Sequence, residues 1–189
     1  MFVCGPTVYD DSHIGHARTN IFFDVMAKYL RARGYSVLYR QNSTDIDDKI
    51  ISRASDEGKK YSDISDYYFK KYLSVMKAMK IDSINYYARA SLYVDEIESQ
   101  IKRMMDAGYA YETADGVYFH VRKFSDYGKL SGQNMDEIKS NARGTIREEK
   151  EDPEDFALWK KMKNIFVLAW PIWESSYTVG PHTNIFTLP

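Results

Sequence analysis

Two imidazoles three residues apart, His13-Ile14-Gly15-His16, stand where an apolar run gives way to a helical pattern. A helix N-terminus there would offer unpaired N–H groups and the positive end of the helix dipole, and both favour an anion. Gly15 lacks the Cβ that would hold a ligand away from the backbone. Two imidazoles at that place can donate hydrogen bonds to a phosphate oxygen as it gains charge, which is electrostatic stabilisation rather than nucleophilic chemistry. The plainer reading of the same residues is a pair of surface histidines that cap a helix. Asp45, Asp47 and Asp48 form a second polar cluster, and acidic residues ahead of a helical pattern are expected to make a turn and a cap rather than a catalytic site. The one cysteine, Cys4, excludes an internal disulfide and limits any metal site, since one thiolate cannot make a Cys-rich zinc centre.

These residues need a scaffold, and the local pattern supplies one. Met1-Phe2-Val3-Cys4 reads as a buried strand stopped by the turn pair Gly5-Pro6. Ile21, Phe22, Val25, Met26, Tyr29 and Leu30 then recur at helical spacing over 15–33, with Gly34 where a left-handed cap belongs. Residues 36–41 look like a second strand. Strand, helix, strand in about forty residues is a βαβ unit, whose strands run parallel and whose carboxyl ends form the ligand crevice. The expected strands centre on Phe2-Val3-Cys4 and Val37-Leu38-Tyr39, with Ile21 and Val25 facing the core. Further helices are expected after the aspartates as far as Gly58, over 61–79 and over 93–107, followed by a hairpin over 109–121 that turns at Asp115-Gly116. Residues 126–155 read as a polar surface segment. The tyrosines at 61, 67, 68 and 72 have helical spacing and read as core and rim rather than as a base-stacking surface.

Composition sets the outer bounds. With 189 residues, 44% hydrophobic and 15% aromatic, the chain can bury a sizeable core as one domain with a small insertion. No stretch approaches the ~20 apolar residues of a membrane span, so a cytoplasmic location is expected. The formal net charge of -1 leaves no global attraction to nucleic acid, so any RNA contact must use local patches.

Cys4-Gly5-Pro6-Thr7-Val8-Tyr9-Asp10, His13-Ile14-Gly15-His16-Ala17-Arg18 and Gln41-Asn42-Ser43-Thr44-Asp45-Ile46-Asp47-Asp48-Lys49 follow one another in an order that closely resembles the cysteinyl-tRNA synthetases. The likeness continues through Gly108-Tyr109-Ala110-Tyr111, Asp126-Tyr127-Gly128-Lys129-Leu130-Ser131 and Asp155-Phe156-Ala157-Leu158-Trp159-Lys160-Lys161, and so covers about residues 1–163. It implies an α/β fold: the first half of a Rossmann-type parallel sheet bearing the histidine signature of class I synthetases, with an α+β insertion. The expected organisation is 1–60 for that first half, 61–150 for a helical and hairpin insertion, 151–163 for the return toward the catalytic domain and 164–189 for an aberrant tail. The resemblance further implies ATP-dependent activation of cysteine and its transfer to tRNA(Cys), with ATP taken as its magnesium complex, by a monomer with no membrane partner. His13 and His16 would be the catalytic donors, and Pro6, Thr7, His13, Gly15 and His16 would bind ATP. Gly5, Thr7 and Thr44 would line the cysteine pocket, and Cys4 would be a zinc ligand beside it.

At Asn164 the composition changes. The last 26 residues hold a single charged residue, Glu174, with two of the three tryptophans and three of the five prolines. Trp170-Pro171-Ile172-Trp173-Glu174-Ser175-Ser176 and Gly180-Pro181-His182-Thr183-Asn184-Ile185-Phe186 are faint echoes of the family's later zinc-ligand motifs, without a cysteine. The family's Lys-Met-Ser-Lys-Ser loop is not in this sequence. A truncated chain, inactive by itself and short of a complete zinc site, is therefore expected. The alternatives are a non-catalytic remnant or nucleotide-binding module, and a ligase that joins cysteine to an amino-sugar.

Overall fold

The computed structural model describes residues 1–129, 132, 149–162 and 165–167. It divides into two compact units, Met1–Val94 and Asp95–Pro189. In the first, β1 (Phe2–Val3), α1 (Ile14–Ala32) and β2 (Arg40–Ser43) form the expected crossover, with Phe2 opposite Arg40 and Val3 opposite Gln41 in parallel register. Two helices, α2 (Asp48–Asp56) and α3 (Tyr61–Ala78), lead to β3 (Tyr86–Arg89), which pairs with β2 in parallel and gives the sheet order β1-β2-β3. The stop signals of the sequence hold: Gly34 and Gly58 take positive φ just past α1 and α2, and the Asp47 carboxylate caps α2 by accepting the Lys49 N–H at 2.9 Å. Tyr72 and Tyr68 are buried while Tyr61 and Tyr67 are exposed, the core and rim that their spacing suggested.

Two expectations need correction. The second strand is not centred on Val37-Leu38-Tyr39 but lies at Arg40–Ser43, because other groups satisfy the backbone before it. Leu38 O accepts from the N-terminal ammonium at 2.7 Å, and Tyr39 N donates to Asn85 Oδ1 at 2.8 Å. Gln41, Asn42 and Ser43 are buried polar residues, so an apolar run could not mark them. The helix face is also the reverse of what the apolar period suggested. Ile21 and Val25 are 47% and 59% exposed, whereas α1 buries Asn20, Asp24 and Ala27.

Burial of Asn20, Asp24, Gln41 and Asn42 is stable because the side chain of each has partners. Gln41 Nε2 donates to Asn20 Oδ1 at 2.8 Å, the Tyr72 hydroxyl donates to Gln41 Oε1 at 2.6 Å, and Asn20 Nδ2 donates to His16 O at 2.8 Å. Asp24 accepts from Lys28 Nζ at 2.7 Å and from Ser83 N at 3.0 Å, which fastens α1 to the segment ahead of β3. Desolvation pushes the Asp24 carboxyl up, but the hydrogen bonds from Lys28 and Ser83 outweigh it and its pKa lies below the ordinary carboxylate value. A lowered folded-state pKa stabilises the fold at pH above the unfolded Asp value of about 3.9, and that stabilisation is lost as the pH falls through the folded-state value. Urea denaturation of the chain between pH 6 and pH 2.5 should therefore show stability falling on acidification, with a shallower fall in Asp24→Asn; equal slopes would contradict this.

The second unit opens with α4 (Val94–Asp106) and continues as an antiparallel sheet, β4 (Ala110–Glu112), β5 (Gly116–Phe119), β6 (Phe156–Met162) and β7 (Ile165–Val167), paired in that order. The hairpin at Asp115-Gly116 forms as read, with Thr113 N donating to Gly116 O at 2.7 Å. Residues 130–131 and 133–148 of the polar segment, and 164 and 168–189 of the tail with Glu174 and His182, lie outside the described residues.

Candidate active site

The loop between β1 and α1 is held at several points. Val8 is buried against Ile50, Ala54, Ile64 and Tyr68. Arg53 of α2 donates to Tyr9 O at 2.9 Å, pairs with Asp10 at 3.1 Å and lies over the Tyr68 ring, while Lys71 of α3 pairs with Asp11. Helices α2 and α3 thus fix the approach to His13.

At the helix start the two plain readings of the histidines coincide. His13 is the N-cap of α1: its Nδ1 accepts from Gly15 N at 3.1 Å, and His16 Nδ1 accepts from His13 N at 3.2 Å, a reciprocal capping box. The rings stack with centroids 3.9 Å apart. A neutral imidazole whose Nδ1 accepts a hydrogen bond carries its proton on Nε2. Capping therefore sets both rings in the tautomer whose Nε2–H donates, so the cap is also a pair of aligned donors. Gly15 is needed for this arrangement, because a Cβ there would meet His13 Cε1 at 2.8 Å and Nδ1 at 2.9 Å and push the ring off the cap.

The strand ends bring together the remaining candidates. Gly5 N donates to Asn42 Oδ1 at 2.7 Å, Thr44 N donates to Pro6 O at 3.0 Å and Val8 N donates to Thr44 O at 3.1 Å, with Thr7 and Thr44 in a parallel bridge. Gly5, Thr7 and Thr44 are thus neighbours at the carboxyl ends of β1 and β2, and Pro6 and Thr44 are buried. Asp45, 1% exposed, accepts from Arg89 Nε at 2.7 Å and from Ser91 N and Oγ at 2.8 and 2.6 Å, so it ties β2 to the chain after β3 instead of making a cap.

Cys4 is exposed, yet protein atoms crowd its sulfur enough that desolvation pushes the thiol pKa up, partly offset by a hydrogen bond with Asn42. The exposure governs whether a reagent can reach it and the crowding governs ionisation, so Cys4 is accessible but reluctant to become the thiolate that zinc requires. Among the described residues Cys4 belongs to no group of three potential metal ligands. The shallow groove lined by Tyr9, Asp48, Lys49, Ser52, Arg53 and Asp56 contains neither histidine nor the Thr7–Thr44 bridge.

Sequence reading missed the groups that carry this geometry from behind: Asn42 on Gly5, Asn20 on the His16 carbonyl, Gln41 and Tyr72 on Asn20, and Arg53 on the loop. Their one sequence signal is the polar Gln41-Asn42-Ser43 in a position that a buried parallel strand would fill with apolar residues.

Residues 1–182 match the family model described as tRNA synthetases class I (C) catalytic domain, a match that runs beyond Asn164. The chain is 57% identical over 180 residues to a cysteine-tRNA ligase of Thermoplasma volcanium and 54% identical over 180 residues to that of Thermoplasma acidophilum, covering 95% of this chain and 39% of each relative. A cysteine-tRNA ligase of Pyrococcus horikoshii is 49% identical over the same share of this chain. The chain thus spans about two fifths of the length of the relatives it matches. In fold it is similar to the Mycobacterium tuberculosis methionyl-tRNA synthetase bound by methionyl-adenylate, with a TM-score of 0.53 and 21% identity over 67% of this chain and 26% of that one. From its parallel sheet, its histidine-capped helix and these matches, the chain belongs to the class I tRNA synthetase (C) catalytic-domain family.

Proposed function

We propose that this chain forms the ATP- and cysteine-facing segment of a cytoplasmic cysteine-tRNA ligase, which activates cysteine as its adenylate and transfers it to tRNA(Cys). The observation that carries the reading is the stacked His13–His16 pair, both rings fixed as Nε2–H donors at the N-terminus of α1. In adenylation a cysteine carboxylate oxygen attacks the α-phosphorus of magnesium-bound ATP, the bond to the bridging oxygen breaks and pyrophosphate leaves. Charge builds on the non-bridging oxygens in that step, and donors already aimed at them need no reorganisation. Gly15 admits the phosphate to the helix start, Pro6 and Thr7 form the adjoining wall, and Gly5, Thr7 and Thr44 line the place for the amino acid. Among the described residues no helix is long and apolar enough to cross a membrane, which accords with a cytoplasmic enzyme. The described residues do not fit a zinc centre at Cys4.

The pair can be tested directly, since the chain has four histidines. Titration of the 189-residue chain with magnesium ATP, followed through the histidine ring resonances, should shift those of His13 and His16 and leave that of His120 in place. The affinity should be weak, and cysteine-dependent pyrophosphate exchange is not expected from this chain alone, because the two donors stabilise charge without holding the outer phosphates in line. Saturable binding that leaves both His13 and His16 unmoved would contradict the assignment.

A further inference from the structure

Away from the strand-end crevice, the second unit carries a compact group of metal-ligand side chains. The β5–β6 register sets Phe119 opposite Phe156, so His120, just after β5, comes beside Asp155, just before β6. His120 Nδ1 lies 3.9 Å from Asp155 Oδ1 and 3.9 Å from Asp152 Oδ2, and Nε2 lies 3.6 Å from Glu151 Oε2. One ligand atom from each of His120, Asp152 and Asp155 can be chosen with all three within 4.8 Å of one another.

Three features single this group out from an ordinary acidic surface. First, His120 Nδ1 is a buried atom with no hydrogen-bond partner, a costly state for a ring nitrogen that another group does not satisfy. Second, Asp155 is fully buried and rigidly oriented: Val121 N donates to its Oδ1 at 2.9 Å, and the Tyr111 hydroxyl donates to its Oδ2 at 2.7 Å. Tyr111 is itself fixed by the Glu151 N–H at 2.8 Å. These bonds leave Oδ1 acceptor capacity on the side of His120. Third, the 3.9 Å gaps are too long for direct N–H···O hydrogen bonds, but two ligands each roughly 2.1 Å from one ion stand roughly 3 to 4.2 Å apart.

We infer that His120, Asp152 and Asp155 bind a divalent transition cation. One imidazole nitrogen and two carboxylates suit zinc or manganese better than calcium or magnesium, which favour all-oxygen sites. The ion would take up the orphaned Nδ1 lone pair and fasten the end of β5 to the turn that enters β6. The Tyr111 hydroxyl, Val121 N and Asp152 N each donate to the Asp155 carboxylate and so hold it in place for the ion.

The test is equilibrium titration of the metal-stripped 189-residue chain with zinc and with manganese at pH 7, in competition with a chelator, together with the metal-dependent shift in Tm and the His120 ring resonances. The expected result is one equivalent bound, a higher Tm and a displaced His120 signal, with affinity at least 10-fold weaker in His120→Ala and in Asp152→Asn and unchanged in Cys4→Ser. Asp152 is 31% exposed, so its Asn variant tests the ligand without emptying the core, and circular dichroism checks that both variants fold. Equal affinity in the wild type and both ligand variants, binding lost in Cys4→Ser instead, or no saturable binding would each overturn the site. The histidine pair of α1 is not part of this test, so its outcome is independent of the adenylation reading.

Discussion

Gly5→Ala should unfold the first unit or cost it about 4 kcal/mol or more, a value at the upper end of single substitutions and comparable with the whole stability of a small domain. A Cβ at position 5 would lie 1.8 Å from Asn42 O and 2.9 Å from both Asn42 C and Gln41 Cγ. The first two atoms are backbone of the neighbouring strand, so no rotamer change can relieve the clash, and β1 and β2 must separate. Separation breaks the Gly5 N–H to Asn42 Oδ1 bond and strains the Thr44 to Pro6 and Val8 to Thr44 bonds that continue it. Gly34→Ala is the control. A Cβ there meets nothing within 4 Å, and the penalty is the left-handed backbone alone, roughly 1–2 kcal/mol. Urea unfolding that ranks Gly5→Ala no worse than Gly34→Ala would show that the close approach of the strands is not what makes residue 5 a glycine.

The contrast between these two glycines shows what sequence can and cannot reveal. Gly34 was legible because a stop signal after a periodic stretch is local, and so were Gly58, the Asp47 cap and the Asp115-Gly116 hairpin. Gly5 read only as a turn; that its missing side chain admits a neighbouring strand depends on residue 42, far along the chain. The same limit explains β2. Val37-Leu38-Tyr39 carries the local apolar pattern, but the ladder forms at Arg40–Ser43, where burial of Gln41 and Asn42 is made tolerable by partners on α1, α3 and the β1 loop. It also explains α1, whose apolar period marks Ile21 and Val25, whereas the inward face is chosen by the partners available to Asn20 and Asp24. β3 was missed because four residues, Tyr86-Tyr87-Ala88-Arg89, are too few to show a period. Of the site, the histidines and their helix were legible from local pattern, and the roles of Cys4, Thr7 and Thr44 came only with the family resemblance. The tautomer that turns a cap into two donors needed coordinates, and so did the His120 group, whose histidine lies more than thirty residues from both its carboxylates.

The second large effect concerns chemistry. His16→Ala should lower the adenylation rate by about 10²- to 10³-fold, or about 2.7–4 kcal/mol of transition-state stabilisation, the scale for one preorganised donor. The ATP KM should move much less, because the donor acts on charge that exists only in the transition state. The decisive measurement is cysteine-dependent pyrophosphate exchange in a chimaera whose first part is residues 1–162 of this chain and whose remainder is the corresponding part of the Thermoplasma volcanium ligase, 57% identical over the aligned length. The account predicts exchange by the chimaera, with kcat reduced about 10²- to 10³-fold in its His16→Ala variant, an ATP KM within a few-fold of the parent and a Tm lowered by no more than the loss of one helix cap requires. An active chimaera that exchanges equally fast with alanine at position 16, or one that loses ATP binding in step with rate, would contradict the claim that this helix start stabilises the reacting phosphate.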